Sequence, residues 1–278
     1  MKNIKIYLIA ILASFSTLSC LVDDEIEVND QNYNGSKIVG FKSDVTLGNF
    51  VQQAGATFDF NVPVHHLGGG AGQPVGSVVT MAYELGALTD LPLSAEEIAD
   101  IQANQVEGIE GTHYDFLDTV RETVIPANHS FDLIPLDVYN DALDGAKTTY
   151  FVLNLRTIVT VEDVVISNQL KSTLVQIQLC RTDLAGDYTV NYGSGPFTHT
   201  VTSLGGGDYE LSSMFGWPTS GYTSYFYACA GELVFTEWVF SNEIIQGIPG
   251  YVDGSGNLVF EQFGIENVYA GRTYTMIP

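Results

Sequence analysis

Thr57-Phe58-Asp59-Phe60-Asn61-Val62-Pro63-Val64 alternates in character: Phe58, Phe60, Val62 and Val64 fall on one side of an extended chain, Thr57, Asp59 and Asn61 on the other. Successive strand residues point to opposite faces, so the stretch reads as a strand with one buried and one wet face. Runs of the same period recur at 78–85, 119–125, 131–139, 149–156, 161–167 and 173–179, and turn-forming residues separate most of them, as at Asn140 to Gly145. Strands at this spacing predict an all-β sandwich of antiparallel sheets. One short helix interrupts them. Ser94 and Glu97 form a capping box, each side chain satisfying an amide at the helix start, and Ile98 and Ile101 share a face. The helix is expected over 95–104, packed over one end of the sandwich.

A second series opens at Leu184-Ala185-Gly186-Asp187-Tyr188, with shorter strands and denser glycine at 187–192, 198–203, 209–211, 222–229, 233–240, 258–263 and 273–277. This predicts an antiparallel β-meander, closed as a barrel or folded as a second sandwich. The chain accordingly divides into a sandwich over 37–182 and a meander over 183–278.

Ahead of both, Lys2 and Lys5 precede an apolar run from Ile6 to Leu18 that stops at Ser19 and Cys20. Residues 1–19 read as a signal peptide. The apolar run is shorter than the roughly 20 residues a spanning helix needs, and Asp23, Asp24 and Glu25 follow it instead of basic residues. Thr17-Leu18-Ser19-Cys20 resembles a lipobox, with Thr17 where leucine is usual, and the resemblance implies lipid attachment at Cys20. Several acyl chains on one cysteine would hold firmly, since each buried methylene contributes about 0.8 kcal/mol. Residues 20–36 then form a solvated acidic tether without apolar periodicity. An acidic patch directly after such a cysteine resembles the signal by which Bacteroidota send lipoproteins to the outer face of the outer membrane. The expected localisation is therefore the outer membrane, lipid-anchored and facing the cell exterior.

With 33 acidic against 10 basic residues the net charge is −23, which makes nucleic acid and anionic membrane surfaces poor partners. Apolar residues make up 45% of the chain, enough for a sizeable core.

Gly111-Thr112-His113-Tyr114, Val124-Ile125-Pro126-Ala127 and Tyr150-Phe151-Val152-Leu153-Asn154-Leu155 together resemble Calx-β-like and related immunoglobulin-like modules of Bacteroidota surface lipoproteins. Many of those have no known function and some accompany glycan-uptake systems. The resemblance covers about Lys37 to Arg181 and implies an immunoglobulin-like first domain. Calcium-binding members use clustered carboxylates, whereas here His113 stands where aspartate is common and Lys147, Thr148 and Thr149 fill a stretch that is often glutamate-rich. Asp137, Asp141 and Asp144 remain as oxygen donors, and an Asn-Asp loop at a strand end reads first as a turn. Asp253-Gly254-Ser255-Gly256-Asn257 likewise reads as a hairpin turn, lacking the later glycine and acid of a calcium loop.

The search for catalysis yields no site. Gly68-Gly69-Gly70-Ala71-Gly72 runs into Gln73-Pro74 and lacks the lysine of a phosphate loop, so it reads as a flexible loop. The adjacent pair His65-His66 would point to opposite faces of a strand, while His113, His129 and His199 stand singly. No metal, cofactor or enzymatic activity is expected. Cys180 and Cys229 read as two buried free thiols, a bridge tying the two domains being the alternative. The aromatic residues from Trp217 through Tyr222, Tyr225, Phe226 and Tyr227 to Trp238 read first as sheet packing. If a carbohydrate is bound, Trp217, Tyr222 and Tyr225 are the expected platform, and Trp238 belongs to the core. Two function classes follow. One is a non-enzymatic binding or accessory lipoprotein that captures a glycan or another extracellular ligand. The other is a structural or adhesive lipoprotein that meets partner proteins and takes no small ligand.

Anchoring through Cys20 predicts that Cys20→Ala moves the protein from the membrane fraction to the soluble one. Retention of the variant would contradict the lipid anchor. Outward topology predicts digestion by protease added to intact cells, and digestion only after lysis would place the protein on the inner face.

Overall fold

The computed structural model describes residues 35–192, 195–214, 221–240, 244–266 and 269–278. Cys20, residues 20–34 of the tether and Trp217 lie outside them. The fold is all-β, with one α-helix among the described residues.

The first part runs β1 (Lys37–Phe41), β2 (Val45–Val51), β3 (Thr57–Gly68), β4 (Val79–Gly86), α1 (Ala95–Asn104), β5 (Val106–Glu107), β6 (Tyr114–Phe116), β7 (Glu122–Ile125), β8 (Phe131–Tyr139), β9 (Thr149–Val159), β10 (Val164–Ile166) and β11 (Ser172–Cys180). One sheet has the order β10-β1-β3-β8-β6, and the facing one joins β2, β11, β9, β4 and β7, with β5 alongside β9. Most neighbours are antiparallel, but β1–β10, β2–β11 and β5–β9 are parallel. Between the sheets lies a core in which Val62, Val64, Ile134 and Leu136 meet Met81, Leu153, Val175 and Ile177. The alternation at 57–64 is realised: Val62 and Val64 are fully buried, and Phe58 and Phe60 close the edge against Phe50, ring centroids 5.1 and 5.8 Å apart.

Helix α1 starts as its sequence dictates. The Ser94 hydroxyl accepts from the Glu97 amide at 3.2 Å, and the Glu97 carboxylate accepts from the Ser94 amide at 2.7 Å. Its position differs from the expected one. Ile101, with Leu88 and Leu91, packs onto Tyr150, Val152 and Leu174, so the helix covers the outer face of the second sheet and not its end. That is why residues 149–155 of β9 are buried without alternation. A strand covered on both sides loses its period-two pattern.

The second part runs β12 (Gly186–Tyr192), β13 (Gly195–Gly205), β14 (Asp208–Leu211), β15 (Ser224–Cys229), β16 (Glu232–Trp238), β17 (Ile244–Gln246), β18 (Gly250–Val252), β19 (Leu258–Ile265) and β20 (Tyr269–Ile277). Of the two expected forms the barrel is the one adopted. The order β14-β13-β12-β20-β19-β18-β16-β15 closes through the β14–β15 pair into eight antiparallel strands, with β17 added beside β19. Tyr209, Phe226, Phe260, Phe263, Tyr274 and Met276 fill its interior, as side chains do in a barrel of this size.

The two cores are separate clusters, and the chain between them is tied down. Tyr209, fully buried, donates its hydroxyl to the Arg181 carbonyl at 2.8 Å and accepts from the Leu184 amide at 3.4 Å. Cys180 and Cys229 are not free thiols but a disulfide. They stand directly opposite each other on β11 and β15, with the Arg181 amide bonded to the Ala228 carbonyl and the Ala230 amide to the Leu179 carbonyl, both at 2.8 Å. In an antiparallel ladder this arrangement defines the non-hydrogen-bonded pair, the one in which side chains come closest. The Cα atoms are 3.9 Å apart. Gly207 completes the packing, because a Cβ there would lie 2.5 Å from the Cys180 Cβ.

The bridge closes a long loop across the junction, so the double variant Cys180→Ala/Cys229→Ala is expected to lose about 2–4 kcal/mol of unfolding free energy in urea titrations. A midpoint equal to the parent's would show that the backbone pairing holds the junction without it.

Candidate functional site

Two surface features of the barrel could hold a ligand, one at each end of the β15–β16 hairpin. At the junction end the hairpin turn is tight: Ala230 and Gly231 both have positive φ, 52° and 80°, as a two-residue hairpin of the favoured twist requires. The turn presses on the sandwich loop at Gly145 and Ala146, and a Cβ on Gly231 would lie 2.8 Å from the Ala146 Cα. Beside this contact opens a cleft of about 600 Å³, walled by Gln52 and Ala146 from the sandwich, Arg181 and Asp183 from the connecting chain, and Glu232 and Tyr251 from the barrel. That volume lies within the range of small-molecule sites.

The cleft holds a paired and an unpaired set of charges. Arg181 donates from Nε and Nη2 to the two carboxylate oxygens of Asp183 at 2.8 and 2.7 Å. This bond lifts the guanidinium above its usual range and holds Asp183 below the usual carboxylate range. Glu232 has no salt bridge among the described residues. The residue is exposed as a whole, yet desolvation of its carboxyl by the surrounding atoms pushes it above the ordinary range.

At the far end of the hairpin an aromatic cluster meets solvent. Phe240, 46% exposed, lies 4.8 Å from the Trp238 ring and 5.6 Å from the Tyr222 ring. Trp238, expected in the core, is half-buried and packs on the barrel core from its rim. Tyr222 therefore joins the cluster through Phe240, which lies between it and Trp238 in the chain of ring contacts. Tyr225 stands on β15 between Glu210 and Glu237, its cross-strand partners, and its hydroxyl is raised by desolvation and by those carboxylates. Phe240 was missed in the sequence, where Val239-Phe240 reads as an ordinary strand end.

The other candidates are accounted for locally. Asp141 accepts from the Gly55 amide and Asp144 from the Ala146 amide, so both cap turns. Asp253 accepts from the Ser255 and Asn257 amides, closing the β18–β19 hairpin. The glycine loop is packed over Lys37, whose ammonium reaches the Pro74 carbonyl at 2.9 Å. His65 stacks on Phe131 at 5.5 Å, and His66 pairs across from Val39; burial lowers both imidazoles. No helix among the described residues is long and apolar enough to cross a membrane.

No family model matches the chain, and no curated protein does. The fold is similar to solved structures at low identity. A protein of unknown function from Bacteroides ovatus aligns at 12% identity over 87% of this chain and 90% of its own, with a TM-score of 0.39. An auxiliary nutrient binding protein from Bacteroides thetaiotaomicron aligns at 12% over 88% and 90%, TM-score 0.35. The Calx CBD2 domain aligns at 14% over 51% of this chain and 88% of its own, TM-score 0.32. The class defined by the chain's own geometry is an all-β protein in which a sandwich and an eight-stranded barrel share one disulfide-bridged junction.

The turn that shapes the cleft gives a direct test. Gly231→Ala must hold a Cβ at positive φ against backbone, and is expected to lower unfolding free energy by about 1–3 kcal/mol. A neutral effect in chemical denaturation would mean that the contact with Ala146 is not made in solution.

Proposed function

We propose that the chain is a non-enzymatic, lipid-anchored protein of the outer membrane that faces the exterior and binds glycans on the barrel. The observation that carries this reading is the cluster of Tyr222, Trp238 and Phe240, in which Phe240 is exposed and the other two rings are half-buried. Flat apolar rings stack on the apolar faces of pyranose rings, and Phe240 presents such a ring to solvent. Lipid at Cys20 and the acidic tether would present the barrel away from the membrane. Trp217, next to the cluster in sequence, keeps its place in the proposal as a further ring.

A second reading has one observation in its favour. Strand β2 pairs with β11 alone among the described strands, and Val45 and Leu47 on it are 41% and 51% exposed. Such an edge can accept another strand, as an adhesive or structural role would use.

Retention on a panel of immobilised polysaccharides separates the two. Phe240→Ala should stay folded and weaken binding about three- to tenfold, the share of a single stacked ring. Parent-like binding by that variant, or no retention of the parent on any polysaccharide, would reject the aromatic platform and leave the strand edge as the better account.

A further inference from the structure

The junction cleft is a different place from the aromatic cluster, since the two lie at opposite ends of one hairpin. Its chemistry is also different. Glu232 and Tyr251 are direct cross-strand partners on β16 and β18, so their side chains leave the barrel wall on the same face, roughly 5 Å apart at Cβ. Both line the cleft. Tyr251 is 41% exposed, and its hydroxyl donates to Glu261 at 3.2 Å, which places a second carboxylate at the ring's far end. The cleft's cation, Arg181, is held by Asp183 through two bonds. What remains is a carboxylate without a counter-charge beside an aromatic ring.

A primary ammonium satisfies both. It gives Glu232 a charge-assisted hydrogen bond and is attracted to the ring's electron-rich face. A neutral hydroxyl offers neither term at comparable strength, and an anionic group meets Asp183 and Glu232 in a chain of net charge −23. We propose that the cleft is a binding site for a small ligand carrying a primary ammonium group, with the Glu232 carboxylate and the Tyr251 ring as the partners of the cation. The raised affinity of the Glu232 carboxyl for protons has the same origin, a partly desolvated charge lacking its partner. The ammonium could be borne by an amino sugar or by an aliphatic amine.

Calorimetry on the purified protein tests this with four probes: the fully deacetylated glucosamine trimer, its N-acetylated form, cellotriose and cadaverine. The glucosamine trimer should bind while the N-acetylated trimer and cellotriose bind at least about tenfold more weakly, and Glu232→Gln, which preserves shape, should weaken the glucosamine trimer by about tenfold or more. Tyr251→Leu should weaken it about threefold. Cadaverine binding as well as the trimer would support the ammonium site and assign it to amines without a sugar frame; weaker cadaverine binding would assign it to an amino sugar. Retention of the parent on neutral polysaccharides reads the aromatic platform, and loss of trimer binding in Glu232→Gln reads the cleft, so failure of one is separable from failure of the other. Equal binding of cellotriose, unchanged binding by Glu232→Gln, or no binding of either amine would overturn the proposal.

Discussion

The whole arrangement turns on one pairing, Cys180 opposite Cys229 at the ends of β11 and β15. β11 lies inside the second sandwich sheet between β2 and β9, and its last residue is bonded to the barrel wall. Two backbone hydrogen bonds flank the bridge, and the Tyr209 hydroxyl secures the chain just beyond it. A sandwich and a barrel joined by a loose linker would share no cleft. Here the turn at Ala230 and Gly231 is held against Ala146, and the space beside it has fixed walls.

The electrostatics of that space follow from the same geometry. Arg181 and Asp183 are both substantially exposed, at 34% and 67%, so their ion pair adds at most about 1 kcal/mol of stability. Its effect is mainly to use up the cleft's positive charge. Glu232 opens β16 directly after the turn, where Gly145 and Ala146 line the cleft across from it, and it has no salt bridge among the described residues. The aromatic cluster arises at the other end of the strand, where Trp238 covers the barrel's rim and Phe240 continues past it into solvent. One hairpin thus carries two unlike surfaces, one polar and recessed, the other apolar and open.

Much of the fold is legible in short-range pattern. The alternation at Thr57 to Val64 and the reciprocal bonds of Ser94 and Glu97 are local facts, and local physics decides them. The parallel pairings of β1 with β10 and β2 with β11 join distant segments and leave no mark on either strand alone. The docking of α1 did leave one, against the period-two reading of 149–156: Tyr150 to Leu155 is apolar at every position but Asn154, a signal of cover on both faces. The disulfide could not be read from two cysteines in strand-like stretches, because bonding depends on a register that only the assembled junction sets. The site was less legible still. Glu232 is one acid among 33, and nothing in its neighbours marks the loss of a counter-charge. Tyr222 follows Gly221 at the start of a strand and does meet an exposed ring, whereas Phe240 reads as strand filling.

The bridge between Cys180 and Cys229 also decides what happens when the backbone is cut. Every peptide bond from 180 to 229 lies inside the covalent loop, so a single nick there leaves both fragments joined through sulfur. A trypsin-like enzyme finds one basic residue in that span, Arg181, whose guanidinium is occupied by Asp183 and whose amide is bonded to Ala228. Past it, Arg272 is the barrel's sole basic side chain. The barrel is thereby a poor substrate for proteases that read positive charge, and a cut at Arg181 leaves its two fragments attached.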